Sequence, residues 1–95
     1  MVNPATEEDL DTVPDAGPAE IARAAAAARG AQHAWRKLPG LEKAKLLHEV
    51  AARIRSMGHA LAERMTLEGG KPMIENLDEI EWTTAAFDYY AEVGR

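Results

Sequence analysis

Few side chains in this sequence have the chemistry to hold a metal or carry a proton, and their spacing limits what they can do. His33, His48 and His59 form no HExxH-type pattern and no i, i+4 pair, so they are read as surface or half-buried imidazoles and not as zinc ligands. Glu75, Asp78, Glu79 and Glu81 crowd carboxylates into a short stretch that could hold a hard cation. The same charges lie near the N-terminal end of a helix, where they favourably oppose the helix dipole without any metal. Gly69-Gly70-Lys71 invites comparison with a phosphate-binding loop, but the full glycine spacing and the following Ser or Thr are missing, and the element before it is helical. Cysteine is absent altogether. The sequence therefore contains no thiolate nucleophile, no thiolate zinc site and no disulfide framework.

The composition suits one small domain or a piece of a larger one: 95 residues, of which 46% are hydrophobic. With 11 Lys and Arg against 16 Asp and Glu, the net charge of −5 disfavours polyanions such as nucleic acid or an anionic membrane. No basic start followed by an apolar core marks a secretory signal. The longest apolar run, residues 24–28, is all alanine and far too short to span a bilayer. A cytoplasmic location is the default expectation.

The elements that must position these residues read as mainly α. Residues 1–18 are rich in proline and acidic side chains, and Met1-Val2 and Leu10-Asp11-Thr12-Val13 are expected to form a short β-hairpin around the turn Asn3-Pro4-Ala5-Thr6. Three helices follow. Gly17-Pro18-Ala19-Glu20 opens a first helix over residues 19–37, with Ile21, Ala24, Ala28, Ala31 and Trp35 on one face and Pro39-Gly40 as its stop. A second, over residues 41–68, repeats Ala44, Leu47, Val50, Ala51, Ile54, Leu61 and Met65 at three- and four-residue steps, and Gly58 is the point where it can bend or split. Gly69-Gly70 ends it and Pro72 starts a third helix over residues 72–93. That helix carries Met73, Leu77, Ile80, Thr84, Phe87 and Ala91 on one stripe and Asp78, Trp82 and Tyr89 on a neighbouring face. A surface helix needs only one apolar stripe, so the second face predicts cover from protein outside this chain.

Several landmarks in one order resemble the N-terminal part of the NAD(P)-dependent aldehyde dehydrogenases. They are Val2-Asn3-Pro4-Ala5-Thr6, Thr12-Val13-Pro14, Ala34-Trp35 with Leu38-Pro39, Glu42-Lys43-Ala44-Lys45-Leu46-Leu47, Thr66-Leu67-Glu68-Gly69-Gly70-Lys71-Pro72, and Phe87-Asp88-Tyr89-Tyr90-Ala91. The resemblance covers essentially the whole chain and departs at Glu7-Glu8, where the family often has glycine followed by glutamate. It implies that the complete enzyme oxidises an aldehyde to a carboxylic acid, with hydride passing to NAD or NADP bound outside this segment, on an α/β fold of which these residues are a part. The nucleophilic cysteine, the general base and the cofactor loop of that family are not among these residues.

The resemblance also implies roles within the segment. A structural monovalent cation would lie near the carbonyl of Val2 and the carboxylate of Glu68, the alternative being that Glu68 is a solvated helix-end residue. Asp78 and Trp82, four apart on one face, would help line the substrate-tunnel entrance and suit a cationic aminoaldehyde, the alternative being ordinary packing and a solvated charge. The helices would brace the cofactor-binding domain, with the remainder of the polypeptide as partner and a homo-oligomer as the complete assembly. Two readings follow: the N-terminal fragment of such an oxidoreductase, or a stand-alone helical interaction module derived from the same segment. A module should melt cooperatively, whereas a fragment should pack poorly by itself.

Overall fold

A computed structural model describes residues 1–95, and four helices account for most of them: α1 (Pro18–Lys37), α2 (Gly40–Ser56), α3 (Gly58–Gly69) and α4 (Met73–Val93). α1 begins as its sequence dictates. Gly17 is extended at the N-cap, Pro18 needs no hydrogen-bond partner, and Glu20 reaches back to accept the Gly17 N–H at 3.1 Å. Leu38 is extended and Pro39 follows, so the chain turns directly into α2.

The expected helix over residues 41–68 is two helices in the structure. Met57 leaves helical geometry at φ −101°, ψ 4°, and Gly58 begins α3 fully buried. A Cβ on Gly58 would stand 3.2 Å from Ile80 Cγ2, so the break falls where the chain backbone presses directly on α4. Both halves pack antiparallel along α4: Gly40 abuts Gly94 and Arg95 at one end, Gly58 meets Ile80 midway, and Thr66 meets Asn76 at the other end.

The seam is made of small residues. Ala44, Ala51, Ala62 and Ala91 are buried, together with Gly58, Asn76 and Thr84. Leu47, Ile54, Leu61, Met65, Met73, Leu77, Ile80 and Phe87 flank the seam half-buried. Alanine and glycine let the helix axes approach closely, and the larger side chains are left at its sides. The molecule measures 49 × 35 × 16 Å, and its shortest dimension is little more than one helix with its side chains. No second layer lies over the hairpin of helices, which is why no large aliphatic side chain is fully buried. α1 stands apart with no buried residue, leaving Ile21 and Trp35 exposed.

The expected N-terminal β-hairpin is not formed. A single antiparallel bridge joins Val2 to Asp9, flanked by Asn3 N–H to Glu8 O and Leu10 N–H to Met1 O, both at 2.9 Å. The physical reason lies in the turn. Asn3 Oδ1 accepts the Ala5 N–H at 2.9 Å, the Asn3 carbonyl accepts from Glu7, and Glu7 takes φ +62°. The loop therefore consumes residues 3–8 and delivers Asp9, not the Leu10-Val13 patch, opposite Val2, leaving too little paired chain for a strand.

Candidate functional site

α4 presents its outer face to solvent. Trp82 is 78% exposed, and Tyr89 and Tyr90, which meet edge-on with ring centroids 5.3 Å apart, are also exposed. One turn before Trp82 on the same face is Asp78. The neighbouring carboxylates are occupied: Lys71 ion-pairs with Glu79 and stands 3.9 Å from Glu75. The Asp78 carboxylate takes part in no ion pair or hydrogen bond. Lys71, Glu75, Asp78, Glu79 and Trp82 line an open recess of about 230 Å³. An indole face beside an unpaired carboxylate is suited to a cation, through its π-face and its charge together. Of the residues singled out from sequence, this pair is brought into one recess.

Glu68 lies at the C-terminal end of α3, which Pro4 and Asp11 of the N-terminal loop approach, and Val2 lies in that loop two residues before Pro4. Gly70 takes the left-handed conformation at φ 72°, its N–H bonding Thr66 O at 2.9 Å, and a Cβ there would stand 2.9 Å from the Pro4 ring. Asp11 approaches Arg64 at 3.5 Å, and Arg64 also ion-pairs with Glu68. Neither backbone group of Val2 is used in a backbone hydrogen bond, so its carbonyl is available as an oxygen donor. The Glu68 carboxylate, by contrast, is already engaged by a guanidinium. The donor set thus fits a hard cation only in part. Residues 1–95 do not fit a nicotinamide cofactor: they contain no parallel sheet and no glycine-rich strand-to-helix turn.

The joint between α3 and α4 is held by a buried polar latch. Asn76, 1% exposed, donates to Thr66 Oγ1 at 2.8 Å and to the Lys71 carbonyl at 3.3 Å, closing the Gly69-Gly70-Lys71-Pro72 turn from inside. Thr84, equally buried, satisfies its hydroxyl by donating to Glu81 O at 3.0 Å within its own helix.

Sequence reasoning missed a cluster between α2 and α4. His48 Nδ1 lies 2.7 Å from Asp88 Oδ1 and its Nε2 lies 2.9 Å from Glu92 Oε1. Arg55 holds the other oxygen of Asp88 at 2.9 Å. Hydrogen bonding to Glu92 and then to Asp88 raises the His48 pKa above its usual value. Asp88 is lowered by His48 and then Arg55, and Glu92 is lowered chiefly by His48. The signal was the matched spacing: His48 and Arg55 recur at the interval of Glu81 and Asp88, one face of each helix. Only antiparallel packing places the two rows opposite each other.

The aldehyde dehydrogenase family matches this chain over residues 1–95, and the chain belongs to that family. It is 37% identical to betaine aldehyde dehydrogenase 1 of Oryza sativa subsp. japonica over 99 residues, 98% of this chain. It is 42% identical to the lactaldehyde dehydrogenase of Escherichia coli over 98 residues, all of this chain, and 36% identical to that organism's NADP-dependent succinate-semialdehyde dehydrogenase GabD. The chain spans about a fifth of the length of these relatives: 19% of the first and 20% of the other two. No solved structure matches it. No helix is long and apolar enough to cross a membrane.

Proposed function

We propose that residues 1–95 serve as a helical scaffold in an enzyme that oxidises an aldehyde to a carboxylic acid with NAD or NADP, bracing a cofactor-binding α/β domain and supplying no catalytic group. The observation that carries this reading is the single-layer architecture. α1 buries nothing, Trp35, Leu46, Leu47 and Val50 border an open, largely apolar hollow of about 710 Å³, and Trp82, Tyr89 and Tyr90 of α4 face solvent. Surface of this kind calls for a second protein layer. The absence of cysteine places the thiolate that attacks the aldehyde outside these residues. The remainder of such a polypeptide is the partner, and the complete assembly is a homo-oligomer.

Within that enzyme Asp78 and Trp82 border the substrate entrance and favour a cationic aminoaldehyde. Their shared recess and the unpaired charge of Asp78 support this, as do relatives named for betaine aldehyde and aminoaldehydes. Val2 and Glu68 border a monovalent cation, for which Glu68 must exchange its bond to Arg64 for the ion.

A chimera tests the scaffold role. Residues 1–95 replace the matching segment of the Escherichia coli lactaldehyde dehydrogenase, and aldehyde-dependent reduction of the nicotinamide cofactor is measured. Activity is expected; a soluble, assembled chimera without it rejects the proposal. In an active chimera, Asp78→Asn and Trp82→Ala should each raise KM for an aminoaldehyde more than for an uncharged aldehyde of the same length. Equal effects on both substrates reject the entrance role. Insensitivity of its melting temperature to sodium and potassium rejects the cation site.

A further inference from the structure

Both ring nitrogens of His48 face carboxylate oxygens at hydrogen-bonding distance, Asp88 on one side and Glu92 on the other. A neutral imidazole has one N–H and one lone pair. It can donate to only one of these oxygens and must set its lone pair against the other. The imidazolium donates to both. We propose that His48 is a pH-operated clasp fastening α2 to α4, closed when the protonated ring bridges Asp88 and Glu92 and released when the ring is neutral.

The surrounding charges make the histidine the group that switches. Arg55 on α2 holds the second oxygen of Asp88 at 2.9 Å and approaches Glu81 at 3.7 Å. Arg95, just past α4, reaches the second oxygen of Glu92 at 3.4 Å. Each carboxylate thus keeps a guanidinium partner when the imidazole loses its proton, and both remain charged. On α2 itself the nearby charges are Lys45, paired with Glu42 at 2.8 Å, and Glu49. α1 and α3 form no ion pair with the cluster.

The sign follows from the raised pKa of His48. The clasp's contribution is fully present below the unfolded value near 6.5 and is lost as pH rises through the higher folded value. Asp88 and Glu92, both lowered, stay ionised across that window and lose their contribution only as pH falls through their folded values. The device therefore acts in the range where histidine changes charge.

The test is an NMR titration of the His48 ring in the folded chain and in the same chain unfolded in urea, with thermal unfolding at about pH 6 and about pH 8. The folded midpoint should lie above the unfolded one, and Asp88→Asn with Glu92→Gln should return it toward the unfolded value. Unfolding should occur at lower temperature at the higher pH, and His48→Gln should abolish the part of that difference due to the clasp. A merely structural contact would lose stability equally at both pH values on His48→Gln. Coincident folded and unfolded midpoints overturn the proposal, as does an undiminished pH difference in His48→Gln. If that variant fails to fold, the midpoints of the unmodified chain decide.

Discussion

Gly69 and Gly70 are adjacent, yet alanine should have opposite effects at the two positions. Gly70 sits at φ 72°, where an L side chain costs roughly 1–2 kcal/mol, and its new Cβ would stand 2.9 Å from Pro4 Cγ. The loop carrying Pro4 is exposed and can yield, so the clash adds only to the low end of the ~1–3 kcal/mol seen for overpacked sites. Against this, alanine restricts the unfolded chain by about 0.4–1 kcal/mol. The balance is a loss of about 1–2 kcal/mol, a factor of roughly 5–30 in the folded-to-unfolded ratio. Gly69 is helical and a Cβ added there would meet nothing within 4 Å, so Gly69→Ala should stabilise by about 0.5–1 kcal/mol. The assay is urea unfolding followed by helical circular dichroism, with Gly70→Asn as an intermediate because asparagine tolerates the left-handed region. Combining Gly70→Ala with Pro4→Ala separates contact from backbone strain in a double-mutant cycle. A neutral Gly70→Ala, or equal losses at both glycines, would refute this account of the joint.

Three further outcomes are expected in the same assay. Glu7→Gly should stabilise the chain by roughly 0.5–1 kcal/mol, because Glu7 holds a positive φ that glycine adopts without strain; a destabilised variant contradicts the described loop. Asn76→Ala should cost about 2–3 kcal/mol by leaving Thr66 Oγ1 and the Lys71 carbonyl without their buried donor, and a loss below that of an exposed substitution rejects the latch. Ala51→Leu should cost about 1–3 kcal/mol by forcing α2 away from α4, whereas a neutral result would mean that the helices are not in close contact there.

Much of the local structure was legible in the sequence because local bonds decide it. Pro18 with Glu20 begins α1, Pro39 separates it from α2, and Gly70 ends α3, each through bonds to residues a few positions away. The alternation of apolar positions on α4 likewise anticipated Thr84 and Ala91 at the seam and Trp82 and Tyr89 outside it. The turn near Glu7 was not legible, since a short hairpin and a longer Asn3-capped loop use the same residues and differ in which one takes a positive φ.

By itself the sequence determined the family, the helical character and the joint at residues 66–72, because these depend on residue type and short-range spacing. The sequence marked Gly58 as the point where residues 41–68 can split, and the tertiary structure decided that they do, at Met57, where Gly58 approaches Ile80 on another helix. It alone joined His48 to Asp88, forty residues away, and brought Arg55 to the same carboxylate. Those outcomes depend on which helix faces which, a choice made by the close packing of Ala44, Ala51, Ala62 and Ala91 and carried by no local signal.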